Sequence, residues 1–556
     1  MEADRLLSFT VTVAARMGGA PWWRCPMRPL FLFLWILTTS TGSLATAAEG
    51  ETQNLGKVHF PVSCSPEAQQ QFDHAVAMLH SFWHPQAMKA FEEVAKTDSS
   101  CAMAYWGIAM AGRANPLVGP PDRAALQDGL AAVAKAKVAG PKTQRERDYV
   151  AAMETYYQDW EKRDHQTRVL AYENAMQQMY TRYPEDSEAA VFYALALNEA
   201  ITVTPPDKKY TRQLKAAAIL EKVMAQQPEH PGALHYLIHS YDFPGLAERG
   251  LEAANRYGKV APSAPHALHM PSHIYSVLGM WDESIKANQA ALEAAKGYAH
   301  AIDFMVYAYL QQARDQEVRA LLERSAELQK AQAATTAANP TGAVLAGYTA
   351  FAAIPARFAL ERGEWAKAAS LEPQPSTPVA DAITYFARGM GAARSGEIGT
   401  AGESMTQLQE IKQKLLESKQ DYWADQVEIQ ITAVSAWVTY AQGKKAGALK
   451  LMRAAADRED ASEKHVAMEN RLLPMRELLG DMLLARKKPA EALREYEVSL
   501  QTARNRYRGL YGAARAARQL GDRKKAKDYY ERLLSLCRYG GERPELAQAK
   551  RYLGRK

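Results

Sequence analysis

Histidine is the residue type in this chain whose placement points to chemistry. Of 13 histidines in 556 residues, seven fall between 230 and 300: His230, His235, His239, His266, His269, His273 and His300. Uniform scatter would put fewer than two there. His235 and His239 are four residues apart, and so are His269 and His273. On an α-helix that spacing places both side chains on one face. The second pair follows the first by 34 residues. A further step of 34 reaches Asp303 and Tyr307, and His266 plus 34 reaches His300. Three columns result: His235/His269/Asp303, His239/His273/Tyr307 and Gly232/His266/His300.

Two imidazoles one turn apart can chelate an ion at about 2.0–2.1 Å per Zn–N bond. The expected ligands are His235, His239, His269, His273 and Asp303, with His266 and His300 alongside. Such a set suits one or two transition-metal ions: imidazole favours Zn, Cu, Fe or Ni, and a carboxylate adds a harder ligand. Two other readings stay open, a hydrogen-bonded network that orders a groove and a cationic site for an anion. Tyr307 is placed in the groove, as a hydrogen-bond donor behind a ligand, a substrate contact or packing. His74, His80 and His84 read as ordinary helix residues or a groove rim, and His59, His165 and His465 as solvated.

No catalytic residue emerges. His235-Tyr-Leu-Ile-His239 has the two-histidine spacing of a zincin but Tyr where the general-base Glu would stand. G-x-S-x-G, P-loop, Rossmann and C-x-x-C-H patterns are missing. Asp242 and Glu248 follow the first histidine pair and could add carboxylates.

The elements that must position these residues are helices. Segments with i, i+3, i+4 apolar spacing dominate, split by short Gly, Pro or Asp turns. Gly480, Ala492 and Tyr496 recur 34 residues later as Ala514, Ala526 and Tyr530. Gly279 to Leu292 and Phe82 to Phe91 have the same form. These resemble tetratricopeptide (TPR) repeats, in which a small residue lets paired helices approach and an aromatic fills the next gap. The fold expected is therefore an all-α, tetratricopeptide-type helical solenoid. In that register His266, His269 and His273 lie on the groove side of a first helix, and neighbouring first helices stack about 8–10 Å apart. Residues 48–330 are expected to form an N-terminal TPR-like array carrying the histidines, 331–424 an irregular helical connection, and 425–556 a C-terminal TPR array. Ser240 to Pro265 must hold the second helix of the first unit in standard geometry, and a distortion at Asp242-Phe-Pro-Gly245 would shift the register by one turn, about 5.4 Å, and separate the two pairs.

Cys101-Ala-Met-Ala-Tyr-Trp-Gly107, Asn115-Pro-Leu-Val-Gly-Pro-Pro121, His230-Pro-Gly-Ala-Leu-His235 and His269-Met-Pro-Ser-His-Ile-Tyr275 go further. With them the chain resembles a family of exported bacterial TPR proteins. The resemblance implies fold and export, and assigns no reaction. Where that family tends to read Asn-Leu-His-Phe, this chain has Ala301-Ile302-Asp303-Phe304, so Asp303 stands for a family histidine.

The N-terminus agrees with export. Arg24 and Arg28 precede the apolar run Leu30 to Leu37, and Ala45 and Ala47 make an A-x-A cleavage site. Residues 1–47 are expected to be a signal peptide with an over-extended start, since Met27 would begin one of ordinary length. The run is well short of the roughly 20 residues that span a bilayer, so no stable membrane anchor is expected after cleavage. The location expected is periplasmic or secreted, where disulfides form. Cys25 leaves with the signal, and Cys64–Cys101 is the expected pair, against two buried thiols.

Hydrophobic residues at 47% and charged residues at 23% are ordinary globular values. The net charge of +6 is too dilute for nucleic acid. Arg504, Arg506, Arg508, Arg515 and Arg518, followed by Lys524, Lys525 and Lys527, read as a solvated face or an acidic-partner patch. Two functions follow: an exported scaffold binding a protein, peptide or small ligand in its concave groove beside a transition-metal site, or a metal-dependent enzyme using the same histidines.

Overall fold

The computed structural model describes residues 53–338, 345–374, 376–466, 468 and 471–555. The expected signal peptide, 1–47, lies outside them. The described chain is all-α, with 26 α-helices that pack chiefly on their neighbours in sequence. The pairing follows from glycine and aromatic placement. A Cβ at Gly107 would lie 2.3 Å from the Phe91 ring, and one at Gly480 would lie 2.7 Å from Tyr496. Each glycine thus lets a ring seat directly on a helix backbone, the close contact that the repeat pattern implies. Burying rings such as Phe91, Trp106 and Tyr496 contributes about 1.5–3 kcal/mol each. Among the described residues, no helix is long and apolar enough to cross a membrane.

The positions 330/331 and 424/425 fall inside the helices Asp315–Ala338 and Asp421–Ala441. Residues 53–556 form one compact unit, in which the C-terminal part returns to the N-terminal part. Lys464 Nζ reaches Asp242 at 2.7 Å, Lys208 reaches Glu463 at 2.7 Å, and Arg504 reaches Glu248 at 2.6 Å. Gly279, in the left-handed region at φ 69°, would place a Cβ 2.5 Å from the Arg504 carbonyl oxygen. Only glycine permits that approach. Trp281 then donates from Nε1 to the Asn505 carbonyl at 2.9 Å.

Cys64 and Cys101 form a disulfide with Cα atoms 5.0 Å apart. It anchors the start of the helix Pro66–His80, whose far end holds part of the histidine site. The stretch Ser240 to Pro265 does not shift the register. It contains a short 3-10 turn, Ala247–Gly250, and the helix Leu251–Val260, which packs as the second helix of its repeat. Gly250 makes this fit, because a Cβ there would strike Ile274 at 2.7 Å.

The basic C-terminal stretch is not a uniform solvated face. Arg506 is fully buried between Glu361 and Glu477, at 2.7 Å from each. Arg508 bonds Asp481 at 2.6 Å, while Lys524, Lys525 and Lys527 are exposed.

Candidate metal centre

The helix Pro231–Tyr241 carries the first histidine pair. His230 caps it: Nδ1 accepts from the Ala233 N–H at 3.2 Å, and Pro231 takes the first helical position. Gly232 lies against His80, whose Nδ1 would be 2.6 Å from an added Cβ. That packing brings the C-terminal end of Pro66–His80 against His235. The His80 carbonyl oxygen, left over at a helix end, accepts from His235 Nδ1 at 2.6 Å. A carbonyl can only accept, so His235 carries its proton on Nδ1 and presents Nε2 as a lone pair. His239 Nε2 and His266 Nε2 each lie 3.1 Å from that Nε2. His266 is held from behind by the Tyr298 hydroxyl at 2.9 Å from Nδ1.

The second pair sits on the kinked helical run Pro265–His269 and Pro271–Leu278. His269 Nδ1 is 2.6 Å from Asn288 Oδ1, and the Asn288 amide is oriented by donating to the Ser284 carbonyl at 2.7 Å. His273 Nδ1 is 2.8 Å from the Asp242 carboxylate. Both Nδ1 atoms therefore donate, and both Nε2 atoms are lone pairs. Those two Nε2 atoms face each other at 3.1 Å. Two lone pairs at that distance repel unless a proton or a cation lies between them. His300, from Ala299–Gln311, completes this group, with its ring centroid 4.7 Å from that of His269.

Two trios result, His235/His239/His266 and His269/His273/His300, each with three ligand atoms within 4.8 Å of one another. They are adjacent: the His239 and His273 rings, and the His266 and His269 rings, are 6.0 Å apart between centroids. A phenylalanine packs on each. Phe82 lies 4.4 Å from the His235 ring and 5.5 Å from that of His266, and Phe304 lies 4.8 Å from both His269 and His273. Phe82 holds φ 51°, a left-handed conformation that costs a non-glycine residue on the order of 1–3 kcal/mol. The turn that closes the helix Pro66–His80 holds it there: the Phe82 N–H donates to the Leu79 carbonyl and the Trp83 N–H to that of Met78, each at 3.0 Å.

Burial, reinforced for five of the six by neighbouring imidazoles, pushes all six pKa values down, His269 to about 4 through burial alone. The rings are neutral at pH 7, the state that ligates a metal. Burial pushes the Asp242 carboxyl up to about 7, opposed by the Lys464 ammonium.

A third group, His80, Glu188 and His230, is gathered as closely and is built differently. His80 Nε2 lies 2.8 Å from Glu188 Oε2, and His230 Nε2 lies 2.9 Å from Oε1. His80 Nδ1 meets the Tyr236 hydroxyl at 3.0 Å. Every imidazole nitrogen here has a protein partner. Burial raises the Glu188 carboxyl, but the two histidines outweigh it and hold it well below the usual range.

Several expectations need correcting. Asp303 shares the repeat column of His235 and His269, yet its carboxylate bonds Arg357 at 2.8 Å and joins no histidine group. Arg357 comes from Leu345–Arg362, which packs on the helix bearing Asp303. Tyr307 is not in the groove. It is buried, its hydroxyl lies 2.5 Å from Arg506 Nη1, and its ring meets Trp281 edge-on. His266 and His300 belong to the trios rather than beside them. His80, passed over as ordinary, is fully buried and supports His235 through its carbonyl. Gly232 is the one local hint of it, as the small member of the His266/His300 column. His465 is buried and stacks on Trp423 at 5.0 Å, and His165 is half-buried. Asp242 stands behind His273, whereas Glu248 is exposed and pairs with Arg504.

The trios end at a cleft of about 2920 Å3. His239, His266, His273 and His300 line it, while His235 and His269 lie fully buried behind them. Trp83, Tyr105, Trp160 and Trp423 are among its other walls, with Arg113 and Arg168.

No protein-family model matches the chain. No curated protein matches it either. One solved structure, titled "Structure of Naa15/Naa10 bound to HypK-THB", is similar over 87% of this chain and 72% of its own, at 14% identity and a TM-score of 0.23. That similarity is too slight to carry an argument about site or partner, and the site stands on its own geometry.

Proposed function

We propose that this is an exported helical-repeat protein that binds transition metal through His235, His239, His266, His269, His273 and His300, and presents it to a ligand in the adjoining cleft. The observation that carries the reading is the pair of Nε2 lone pairs of His269 and His273 facing each other at 3.1 Å. Two bonds of about 2.05 Å to a common ion would subtend roughly 98° across that gap, a normal ligand angle. Fixing Nδ1–H on a carboxylate, an amide oxygen or a backbone carbonyl is how metal-binding histidines are oriented. The Cys64–Cys101 bridge supports an oxidising compartment.

A metal-dependent enzyme is the second reading. Its support is that four of the six imidazoles line the cleft, so an ion there would keep a coordination position facing a ligand. The carboxylates beside the site are engaged: Asp242 by His273 and Lys464, Asp303 by Arg357. The binding reading therefore comes first.

Elemental analysis of the purified chain tests it. Bound transition metal is expected in the wild type and lost in the double variant His239→Ala/His273→Ala, with the helical signal unchanged. Equal metal content in the two proteins would refute the site.

A further inference from the structure

We infer that the centre takes two copper ions in the Cu(I) state, one in each trio. This rests on the metal-binding reading above and adds the number, identity and charge of the ions.

The number follows from the donors. Each trio brings three ligand atoms within 4.8 Å of one another, and the trios share no residue. Each also has its own orienting contacts: the His80 carbonyl and Tyr298 for the first, Asn288 and Asp242 for the second. A single site with spare histidines would not need two separate sets of supports.

The charge follows from what surrounds the donors. All six are neutral imidazoles, and no carboxylate joins either trio. Lys464 and Arg357 both act on His300, so the nearest fixed charges include two cations. Asp242 and Asp303 offset those two cations, through contacts of 2.7 and 2.8 Å; Asp242 also bonds His273 Nδ1 from behind, but no carboxylate is among the donors, so the fixed charges around them roughly cancel. Two divalent ions would bring four positive charges into a buried, uncompensated pocket. Charging energy in low dielectric grows with the square of the charge, so a monovalent ion costs about a quarter as much as a divalent one. Among metals that imidazole favours, copper is the one with a stable monovalent state. Three nitrogens can complete the shell of Cu(I), whereas Zn2+ would draw a fourth ligand from the cleft. Phe82 and Phe304 supply the apolar packing that suits a low-charge ion.

The test is an anaerobic titration of the metal-stripped full chain with Cu(I) alone, against a competing colorimetric Cu(I) chelator. Two equivalents should bind. His239→Ala and His300→Ala should each bind one, and the pair of substitutions none. Equimolar Zn2+ should leave bound Cu(I) in place. X-ray absorption of the loaded wild type needs no variant and should show about three nitrogen neighbours per copper. Saturation at one equivalent, or displacement by Zn2+, would overturn this inference and leave metal binding standing. No binding of any metal would overturn both.

Discussion

Two kinds of buried imidazole cluster meet at the helix Pro231–Tyr241, and they use their nitrogens in opposite ways. In the His80/Glu188/His230 group a carboxylate sits between the rings and closes every hydrogen bond. In the two cleft trios the Nδ1 atoms of His235, His269 and His273 are tied back, and their Nε2 atoms converge on other imidazole nitrogens. Proximity alone does not separate the clusters, since in all three the ligand atoms lie within 4.8 Å of one another. The partner of the far nitrogen does. A closed network contributes to folding, whereas converging lone pairs are left for a cation.

The largest effect should come from breaking the closed group. Glu188→Ala leaves His80 and His230 buried without their acceptor. A loss of about 3–5 kcal/mol is expected in denaturant unfolding of the metal-free protein, the usual cost of removing one partner from a buried pair. His239→Ala should leave metal-free stability nearly unchanged while lowering metal affinity by an order of magnitude or more. If the two variants behaved alike, the distinction between the clusters would fail.

A smaller effect should come from the orienting contacts. Asp242→Asn keeps an acceptor near His273 but removes the charge. Metal affinity should fall about 10–100-fold without loss of bound stoichiometry, as for other residues behind a ligand. Competition with a chelator of known affinity measures it, and an unchanged affinity would place Asp242 outside the site's support.

How much of this was legible in the sequence depends on range. The helix pairs and their 34-residue spacing are local, so Gly480, Tyr496 and their counterparts declared them. The i, i+4 histidine pairs and their offset were local too, and the pairs do lie side by side. Asp303 fails because its column fixes the backbone position but not the competitor. Arg357, 54 residues on, supplies a guanidinium that outbids any imidazole for the carboxylate. Tyr307 and Arg506 are 199 residues apart, and His80 and Glu188 are 108 apart. Such partners meet only because the array curls back on itself, and repeat arithmetic holds no record of that.

The smallest effect concerns His465, on the cleft wall and outside both clusters. Burial lowers its pKa to about 3. Below pH 6.5 the unfolded chain takes up a proton there that the folded chain refuses. Stability should therefore fall as pH drops from 6.5 toward 3 and level off below that, with a slope from this residue of about 1.4 kcal/mol per pH unit. His465→Gln should flatten the unfolding free energy against pH by that amount. An unchanged slope would mean that the ring is already protonated against Trp423.

The most direct measurement is an anomalous-scattering map of crystals of the metal-loaded chain, collected at the absorption edge of the bound element. The account predicts a peak between His269 Nε2 and His273 Nε2, about 2.0–2.1 Å from each, and a second at His235/His239/His266, with none beside Glu188. A peak at Glu188, or none between His269 and His273, would contradict it.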